Sequence, residues 1–255
     1  MKTNALFAFF DEVGDITRFA GKFFVELFKP RFEFNEFLRQ CFYIGNKSIG
    51  LVAITAFIMG LVITIQSRPT LVEFGAEAWL PKMVSVSLIR EIAPVITALI
   101  CAGKIGSGIG AELGSMKVTE QIDAMDVSGT NPYKYLVVTR VMATTLMIPV
   151  LVTLADAISL YGAYLGANIH GIVSWDLFWS QVFDTIVYSD VVPSILKTYF
   201  FGFIIGIIGC YKGFNSKKGT EGVGQSANSA VVISSLLVFV FDLLAVQITD
   251  VLNLN

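Results

Sequence analysis

The chain has 255 residues, of which 55% are hydrophobic and 15% are charged, and its mean hydropathy is +0.71. Soluble domains carry about 25% charged residues, so this composition excludes an ordinary soluble enzyme and predicts a membrane protein. The formal net charge is only −2, and we expect no nucleic-acid partner.

The first 46 residues are predicted to form an N-terminal interfacial amphipathic region. In the stretch ITRFAGKFFVELFK, apolar residues recur at spacings of three and four, with the charged residues on the other side. The apolar positions are Phe19, Phe23, Phe24, Leu27 and Phe28, and the charged positions are Arg18, Lys22, Glu26 and Lys29. This pattern favours a helix in the headgroup plane, ended by Pro30. The alternative, a helix on the core of a soluble domain, is disfavoured because too little chain precedes the membrane spans.

Five segments are long and apolar enough to be membrane spans. A spanning helix needs about 20 apolar residues, and residues 48–67 supply 20 in a row without a charge. The other candidates are residues 83–103, 136–169, 191–211 and 229–248. The second and fourth each contain a charge and a proline, so we expect them to face protein or to be re-entrant. The predicted fold class is an all-α membrane protein, with five transmembrane helices in a domain of residues 47–255.

Lysine and arginine are distributed unevenly between the connections. Of 18 such residues, 14 precede the first span or lie between the second and third or the fourth and fifth spans. The opposite side has Arg68 and Lys82, while its 169–190 loop has none and carries aspartates instead. Since basic loops stay in the cytoplasm, the distribution predicts a cytoplasmic N-terminus and a C-terminus outside.

Two adjacent charges, Arg90 and Glu91, interrupt the second span, and Lys197 and Asp242 lie in the fourth and fifth. A charge in the hydrocarbon costs about 2.5–3.5 kcal/mol on insertion scales, so it persists where it faces a partner or water. Neighbouring helix residues point about 100° apart, and one hypothesis is that Arg90 binds a phosphate while Glu91 bonds a neighbouring helix. The alternative gives the charges to interhelical ion pairs, Glu91 with Lys197 and Lys197 with Asp242. Asp156, in the third span, is not assigned to the site.

A long connection, residues 104–132, follows the second span. Its glycine-rich first part has small residues four apart, such as Gly106 and Gly110, which allow close approach between helices. It is not a phosphate-binding loop, because the chain lacks that motif. The second part is predicted to be a short helix at about residues 116–128, a docking element for a cytoplasmic partner or, alternatively, a surface turn. The docking residues would be Glu120, Gln121, Ile122, Asp123, Ala124, Met125 and Asp126.

The sequence offers no sign of covalent chemistry. Cys41, Cys101 and Cys210 are far apart and His170 is the only histidine, so neither a disulfide framework nor a metal site is expected. Motifs of serine hydrolases and zinc proteases are missing as well. We therefore expect no catalytic residue, metal or cofactor in this chain.

Two long blocks of the sequence carry a distinctive pattern. The first runs from LIREIAPV through the 104–132 connection to VVTRVMA, and the second from LKTYFFGF to VFVFDLL. Both blocks resemble the signature of MlaE-type permeases, the membrane subunits of ABC transporters in the maintenance-of-lipid-asymmetry and MCE systems. Together with the amphipathic N-terminus, the resemblance covers nearly the whole chain.

The resemblance implies a homodimer that works with cytoplasmic ABC ATPase subunits, a periplasmic MCE-domain protein and a STAS-domain accessory subunit. ATP and magnesium would be bound by the ATPase, the cargo would be membrane phospholipid, and the location would be the bacterial inner membrane. The helix near residues 116–128 resembles the coupling helix of the family. Positions that match the central cavity or its polar support are Gln66, Arg90, Glu91, Lys197 and Asp242. The expected cavity wall on the first span consists of Ile58, Met59, Val62 and Ile65.

Two other functions stay open at this point. One is a proton-coupled carrier or channel that uses Glu91, Asp156 and Asp242 as a relay. The other is a membrane scaffold that anchors partners and transports nothing. A co-purifying ATPase favours the permease, whereas dependence on a proton gradient without an ATPase favours the carrier.

Overall fold

A computed structural model of the chain describes residues 5–30, 32–169 and 173–251. All regular structure in these residues is helical, and five helical segments are long and apolar enough to cross a membrane. They are Phe34–Glu73, Glu77–Val118, Tyr133–Asn168, Tyr188–Phe214 and Thr220–Val251. The predicted all-α membrane fold with five spans is therefore confirmed. The only histidine, His170, lies outside the described residues.

The N-terminal helix α1 spans Ala5–Leu27 and begins well before the amphipathic stretch. Phe19 and Phe23 pack against aromatic rings of other helices. Phe24 and Phe28, predicted to lie on the same apolar side, are exposed instead. Phe24 follows Phe23 directly, and neighbouring helix residues diverge by about 100°. The helix therefore has one apolar face packed on protein and a second that is open.

The first span is part of a single long helix, α2, which spans Phe34–Glu73. Residues 34–46, which the sequence places in the interfacial region, are thus continuous with the span. In the second half of α2, a Cβ on Gly60 would lie 1.9 Å from the backbone oxygen of Ser159. Glycine is required here because any side chain would collide with the backbone of the third span.

Wider, π-helical turns divide the second span into three α-helices. After a short 3₁₀ turn at Glu77–Trp79, the helices are α3 (Leu80–Ser87), α4 (Ala93–Cys101) and α5 (Ser107–Val118), and the π-helical turns are Leu88–Ile92 and Ala102–Gly106. The glycine-rich stretch is thus part of this helical segment, and the connection is shorter than predicted. A Cβ on Gly110 would lie 3.2 Å from the backbone oxygen of Ser226, which is the close approach that the glycine spacing predicts.

A short helix, α6, spans Gln121–Val127. It begins later than predicted, because the residues before Thr119 continue α5. Glu120, at its N-terminal end, has a left-handed backbone with φ of 60°. This turn separates α6 from α5 and gives the short helix its own direction.

The rest of the described chain contains the third, fourth and fifth spans and one additional helix. The third span starts with a π-helical segment, Tyr133–Val138, and continues as α7, Thr139–Asn168. Helix α8 is Trp175–Thr185, α9 is Tyr188–Phe214 and α10 is Thr220–Val251. Sequence reasoning missed α8, although Ser174 is a standard N-cap residue whose side chain accepts a hydrogen bond from the Leu177 amide.

The helices form two compact units, each assembled from three parts of the chain. The first unit comprises Met1–Ile44, Ala102–Thr145 and Phe203–Leu237, and the second comprises Gly45–Cys101, Leu146–Gly202 and Val238–Asn255. Helices α1 and α6 belong to the first unit. The charged residues predicted within the second and fourth spans belong to the second.

Candidate functional site

Five charged side chains from three spans meet in the second unit, and we call them the charge cluster. Arg90 and Glu91 lie in the π-helical turn of the second span, Asp190 and Lys197 in the first turns of α9, and Asp242 in the later part of α10. Two cations thus face three carboxylates. All four charged residues that the sequence predicts for the cavity are members of this cluster: Arg90, Glu91, Lys197 and Asp242.

Lys197 bridges two carboxylates. Its Nζ lies 2.7 Å from Glu91 Oε2 and 2.9 Å from Asp242 Oδ1. The Lys197 side chain is only 6% exposed. Both ion pairs considered from the sequence are therefore present, and each of the three residues comes from a different span.

Arg90 has a partner that the sequence did not reveal. Its Nε and Nη2 both contact Asp190 Oδ1, and the other carboxylate oxygen, Oδ2, accepts a hydrogen bond from the Val187 amide at 3.0 Å. In the sequence Asp190 lies at the end of an acidic loop, a hundred residues from Arg90. Only the packing of α9 beside the π-helical turn identifies it as part of the cluster.

The charge cluster has buried and open members. Asp190 and Lys197 are 2% and 6% exposed, whereas Arg90 and Glu91 are 32% and 44% exposed. A guanidinium has five N–H donors, so one carboxylate oxygen does not exhaust Arg90. The buried partners therefore fix the orientation of two side chains that can still contact a bound molecule.

A cavity of about 40 Å³ borders the charge cluster. Its lining includes Arg90, Glu91, Asp190 and Lys197, together with apolar residues of α10. Because a water molecule occupies roughly 10–15 Å³ on this measure, the cavity has room for a few waters. It is far too small for a phospholipid within one copy of the chain.

The π-helical turn that carries Arg90 has a local cause. Pro94 has no backbone N–H, so it cannot donate to a carbonyl in the preceding turn. The carbonyl of Ile89, five residues earlier, instead accepts a hydrogen bond of 2.7 Å from the Ser194 hydroxyl. The turn is thus held by α9, and its widening directs Arg90 and Glu91 towards that helix.

The predicted cavity residues of the first span lie apart from this cavity. Gln66 and Ile58 are exposed, Val62 is half-buried, and none of the three lines the cavity beside Arg90. Met59 lines a separate, much smaller space of about 10 Å³. Their assignment to a lipid wall stays a prediction.

In the first unit, α6 has one buried face and one exposed face. Ile122 is buried and Met125 half-buried, whereas the other predicted docking residues are exposed. Asp123 is held by Lys117 Nζ at 2.8 Å. Val127, which was not predicted as a docking residue, is 91% exposed. A short helix anchored by an apolar face thus presents acidic and apolar side chains.

The helix that leads to α6 is fixed by a buried arginine. Arg140 of α7 is 2% exposed, and its Nη2 lies 2.8 Å from Glu112 Oε1 of α5. Its Nη1 donates to the carbonyl of Leu136 at 3.0 Å. A charged hydrogen bond therefore joins α5 to the third span.

Asp156 does not join the charge cluster. It lies in α7, and its Oδ1 is buried without a hydrogen-bond partner among the described residues. Leaving Asp156 out of the predicted site is therefore consistent with its position.

Comparison with known proteins agrees with this architecture. Residues 37–248 match the family model described as Permease MlaE. The chain is 38% identical over 240 residues to a probable ABC transporter permease protein of Rickettsia typhi, covering 94% of this chain and 93% of that protein. It is 37% identical over 220 residues to a probable ABC transporter permease protein of Synechocystis, covering 86% and 84% of the two chains. The chloroplastic protein TRIGALACTOSYLDIACYLGLYCEROL 1 of Arabidopsis thaliana is 32% identical over 224 residues, covering 88% and 64%.

Proposed function

The chain belongs to the MlaE family of ABC transporter permeases, and from this membership we propose that it moves phospholipid between a bacterial inner membrane and a periplasmic MCE-domain partner. A separate cytoplasmic ATPase supplies the energy, binds ATP and magnesium, and carries a STAS-domain accessory subunit. The N-terminus lies in the cytoplasm, as the distribution of basic residues predicts. The transport contributes to the lipid asymmetry of the outer membrane.

The charge cluster is the observation that carries this proposal. Arg90 and Glu91 are partly open in the middle of a candidate span, and buried partners hold them in place. A planar guanidinium suits a lipid phosphate because it offers paired N–H donors. Retaining five charges at such depth is costly unless they border water or a polar ligand, and a phospholipid headgroup meets that requirement.

A homodimer supplies the space that one chain lacks. The cavity beside Arg90 holds only a few waters, whereas a phospholipid brings two acyl chains. A twofold axis placed beside the open side of the charge cluster would double its charges and add apolar walls. In this arrangement Gln66, Ile58, Met59 and Val62 contribute to the wall contacted by lipid tails.

Docking of α6 on the ATPase provides the coupling. The anchored helix presents Asp123, Asp126 and Val127 to a partner. Closure of the ATPase would move α6 as a rigid element together with α5. The Arg140–Glu112 pair then transmits that movement to the third span.

The lipid proposal is tested by mass spectrometry of lipids retained by the purified complex, wild type against Arg90→Ala. We expect about tenfold less bound phospholipid in the variant, since a charged hydrogen bond contributes about 1.5–3 kcal/mol. Arg68→Ala is the matched control, because Arg68 also pairs with a carboxylate, Glu77, at 2.8 Å but does not line the cavity. Unchanged phospholipid in Arg90→Ala would remove Arg90 from the site.

The positions of the carboxylates support a proton-coupled carrier less well than they support the permease. Glu91 and Asp242 share Lys197, but Asp156 does not line their cavity. Transport that needs a proton gradient and continues without nucleotide would favour the carrier. Lipid movement that stops without ATP favours the permease, and binding of partners without any transport favours the scaffold.

A further inference from the structure

Two cavities of about 380 and 370 Å³ in the first unit share Tyr211 and Asn215 as lining residues. We call them together the basic trough. Each has about nine times the volume of the cavity beside Arg90. The trough lies between α1, the end of α9 and the start of α10, and it shares no lining residue with the charge cluster.

The trough carries an excess of positive charge. Its cations are Arg18, Lys22, Lys212 and Lys217, and its acids are Glu12 and Asp15. Lys212 is in contact with Glu12, so that pair is neutral overall. The other acid, Asp15, stands against three cations.

The remaining cations are held loosely. Arg18 Nη1 lies 3.7 Å from Asp15, with both side chains well exposed, and such exposed pairs contribute little. Lys22 Nζ sits 4.5 Å from the centre of the Tyr133 ring, and its charge also helps to lower the pKa of Glu26. Lys217 is exposed in the loop between α9 and α10. Three basic groups outside the Lys212–Glu12 pair therefore line the trough.

The surroundings of the trough match the level of lipid headgroups. It borders the ends of two candidate spans, α9 and α10. Beside it, α1 exposes Phe10, Phe24 and Phe28, a pattern typical of helices that lie in the membrane interface. Hydroxyl and amide groups, including Gln225 and Ser226, complete the lining. Basic pockets at this depth attract anionic lipids.

We propose that the basic trough binds the headgroup of an anionic phospholipid, with its phosphate between Arg18, Lys22 and Lys217. This lipid is distinct from the transported one and ties α1 to the membrane surface. The site does not depend on the transport proposal, because neither Arg90 nor any other member of the charge cluster lines it.

The test uses the full chain in complex with its ATPase, reconstituted in nanodiscs with equal amounts of phosphatidylglycerol and phosphatidylcholine. Native mass spectrometry counts the lipids retained after detergent release. We expect the Arg18→Gln/Lys217→Gln variant to retain at least fivefold less phosphatidylglycerol and an unchanged amount of phosphatidylcholine. The conservative Arg18→Lys variant is expected to retain both lipids.

The control is Arg39→Gln/Lys218→Gln, which removes the same charge from exposed residues outside the trough. Lys218 is the direct neighbour of Lys217, so equal losses in both variants would mean a general surface-charge effect and overturn the proposal. Binding of millimolar inorganic phosphate by the wild type, with no more phosphatidylglycerol retained than by Arg18→Gln/Lys217→Gln, would assign the site to free phosphate. Retained lipid combined with loss of the ATPase would assign the trough to a protein contact. Each of these three results contradicts the headgroup site.

Discussion

Lys197 keeps two carboxylates together inside the second unit. Its ammonium lies within 2.9 Å of both Glu91 and Asp242, and the side chain is almost fully buried. Removing a buried partner leaves the remaining charges uncompensated, which costs more than the ion pair itself contributes. The lysine is therefore a structural requirement as well as a candidate cavity residue.

Lys197→Met is expected to destabilise the protein by about 3–5 kcal/mol, because Glu91 and Asp242 would repel each other without the ammonium. The measurement is the midpoint of thermal unfolding in detergent, followed by size-exclusion chromatography. Adding Asp242→Asn to Lys197→Met should recover part of the loss, since one of the two repelling charges is removed. A midpoint equal to wild type in Lys197→Met would contradict the bridging role.

At this scale, the sequence predicted part of the cluster. Glu91, Lys197 and Asp242 could be paired in advance because each is a charged residue within an apolar span. Asp190 could not, since an aspartate at the end of an acidic loop carries no local signal of burial. The partner of Arg90 becomes evident only when α9 packs on the π-helical turn, a long-range contact that no spacing encodes.

Among the helices, the segment after α6 is fastened to the end of α1. Asn131 Nδ2 donates to Glu26 Oε2 at 3.0 Å. Lys134 Nζ donates to the carbonyls of Lys29 and Pro30 at 2.6 and 2.7 Å. These carbonyls follow the last turn of α1, where helix ends need donors. The segment that follows α6 is thus held to the C-terminal end of α1 by three hydrogen bonds.

Because Glu26 is titratable, the stability of this contact between α1 and the segment after α6 depends on pH. The hydrogen bond from Lys29 lowers the pKa of Glu26 below its ordinary value of 4.5, despite the opposing effect of burial. A carboxylate whose pKa is lower in the folded state stabilises the protein above pH 4.5 and loses that contribution as the pH falls through the folded pKa.

We expect Glu26→Gln to lower the free energy of unfolding at pH 7 by about 1.5–3 kcal/mol, the contribution of hydrogen bonds to a charged group. The difference from wild type should shrink below pH 4.5. Unfolding midpoints between pH 7 and pH 3.5 provide the measurement, with exposed Glu33→Gln as the control. A difference that does not change with pH would show that the Glu26 charge is not involved.

Helix boundaries were predictable where an apolar run ends at charged residues, glycine or proline. The five spans and α6 could be found in this way, but the π-helical turns at Leu88–Ile92 and Ala102–Gly106 could not. A π turn shifts the helical register by one residue and leaves composition unchanged. The apolar pattern also predicted a single apolar side for α1. The pattern shows which residues are apolar, but it cannot show whether they contact protein or lipid.

On the scale of the whole molecule, the helix proposed to dock on the ATPase and the charge cluster proposed to bind lipid belong to different units. The first contains α1, α5 and α6, and the second contains the charge cluster. Each of the five spanning segments contributes residues to both units, so each of these segments continues from one unit into the other. The family and the number of spans follow from the sequence, whereas the proposed lipid cavity would also need a second copy of the chain.

Docking through α6 supplies the last prediction. Asp123 and Asp126 are exposed, and Ile122 anchors the helix from the buried side. If acidic side chains meet a basic cleft of the ATPase, reversing one charge introduces repulsion at the contact. Asp126→Lys should therefore reduce ATPase co-purification at least tenfold, which corresponds to about 1.4 kcal/mol. Glu221→Lys, an exposed acid at the start of α10, is the matched control and should leave co-purification unchanged. Full recovery of the ATPase with Asp126→Lys at high and low salt would exclude α6 as an acidic docking helix.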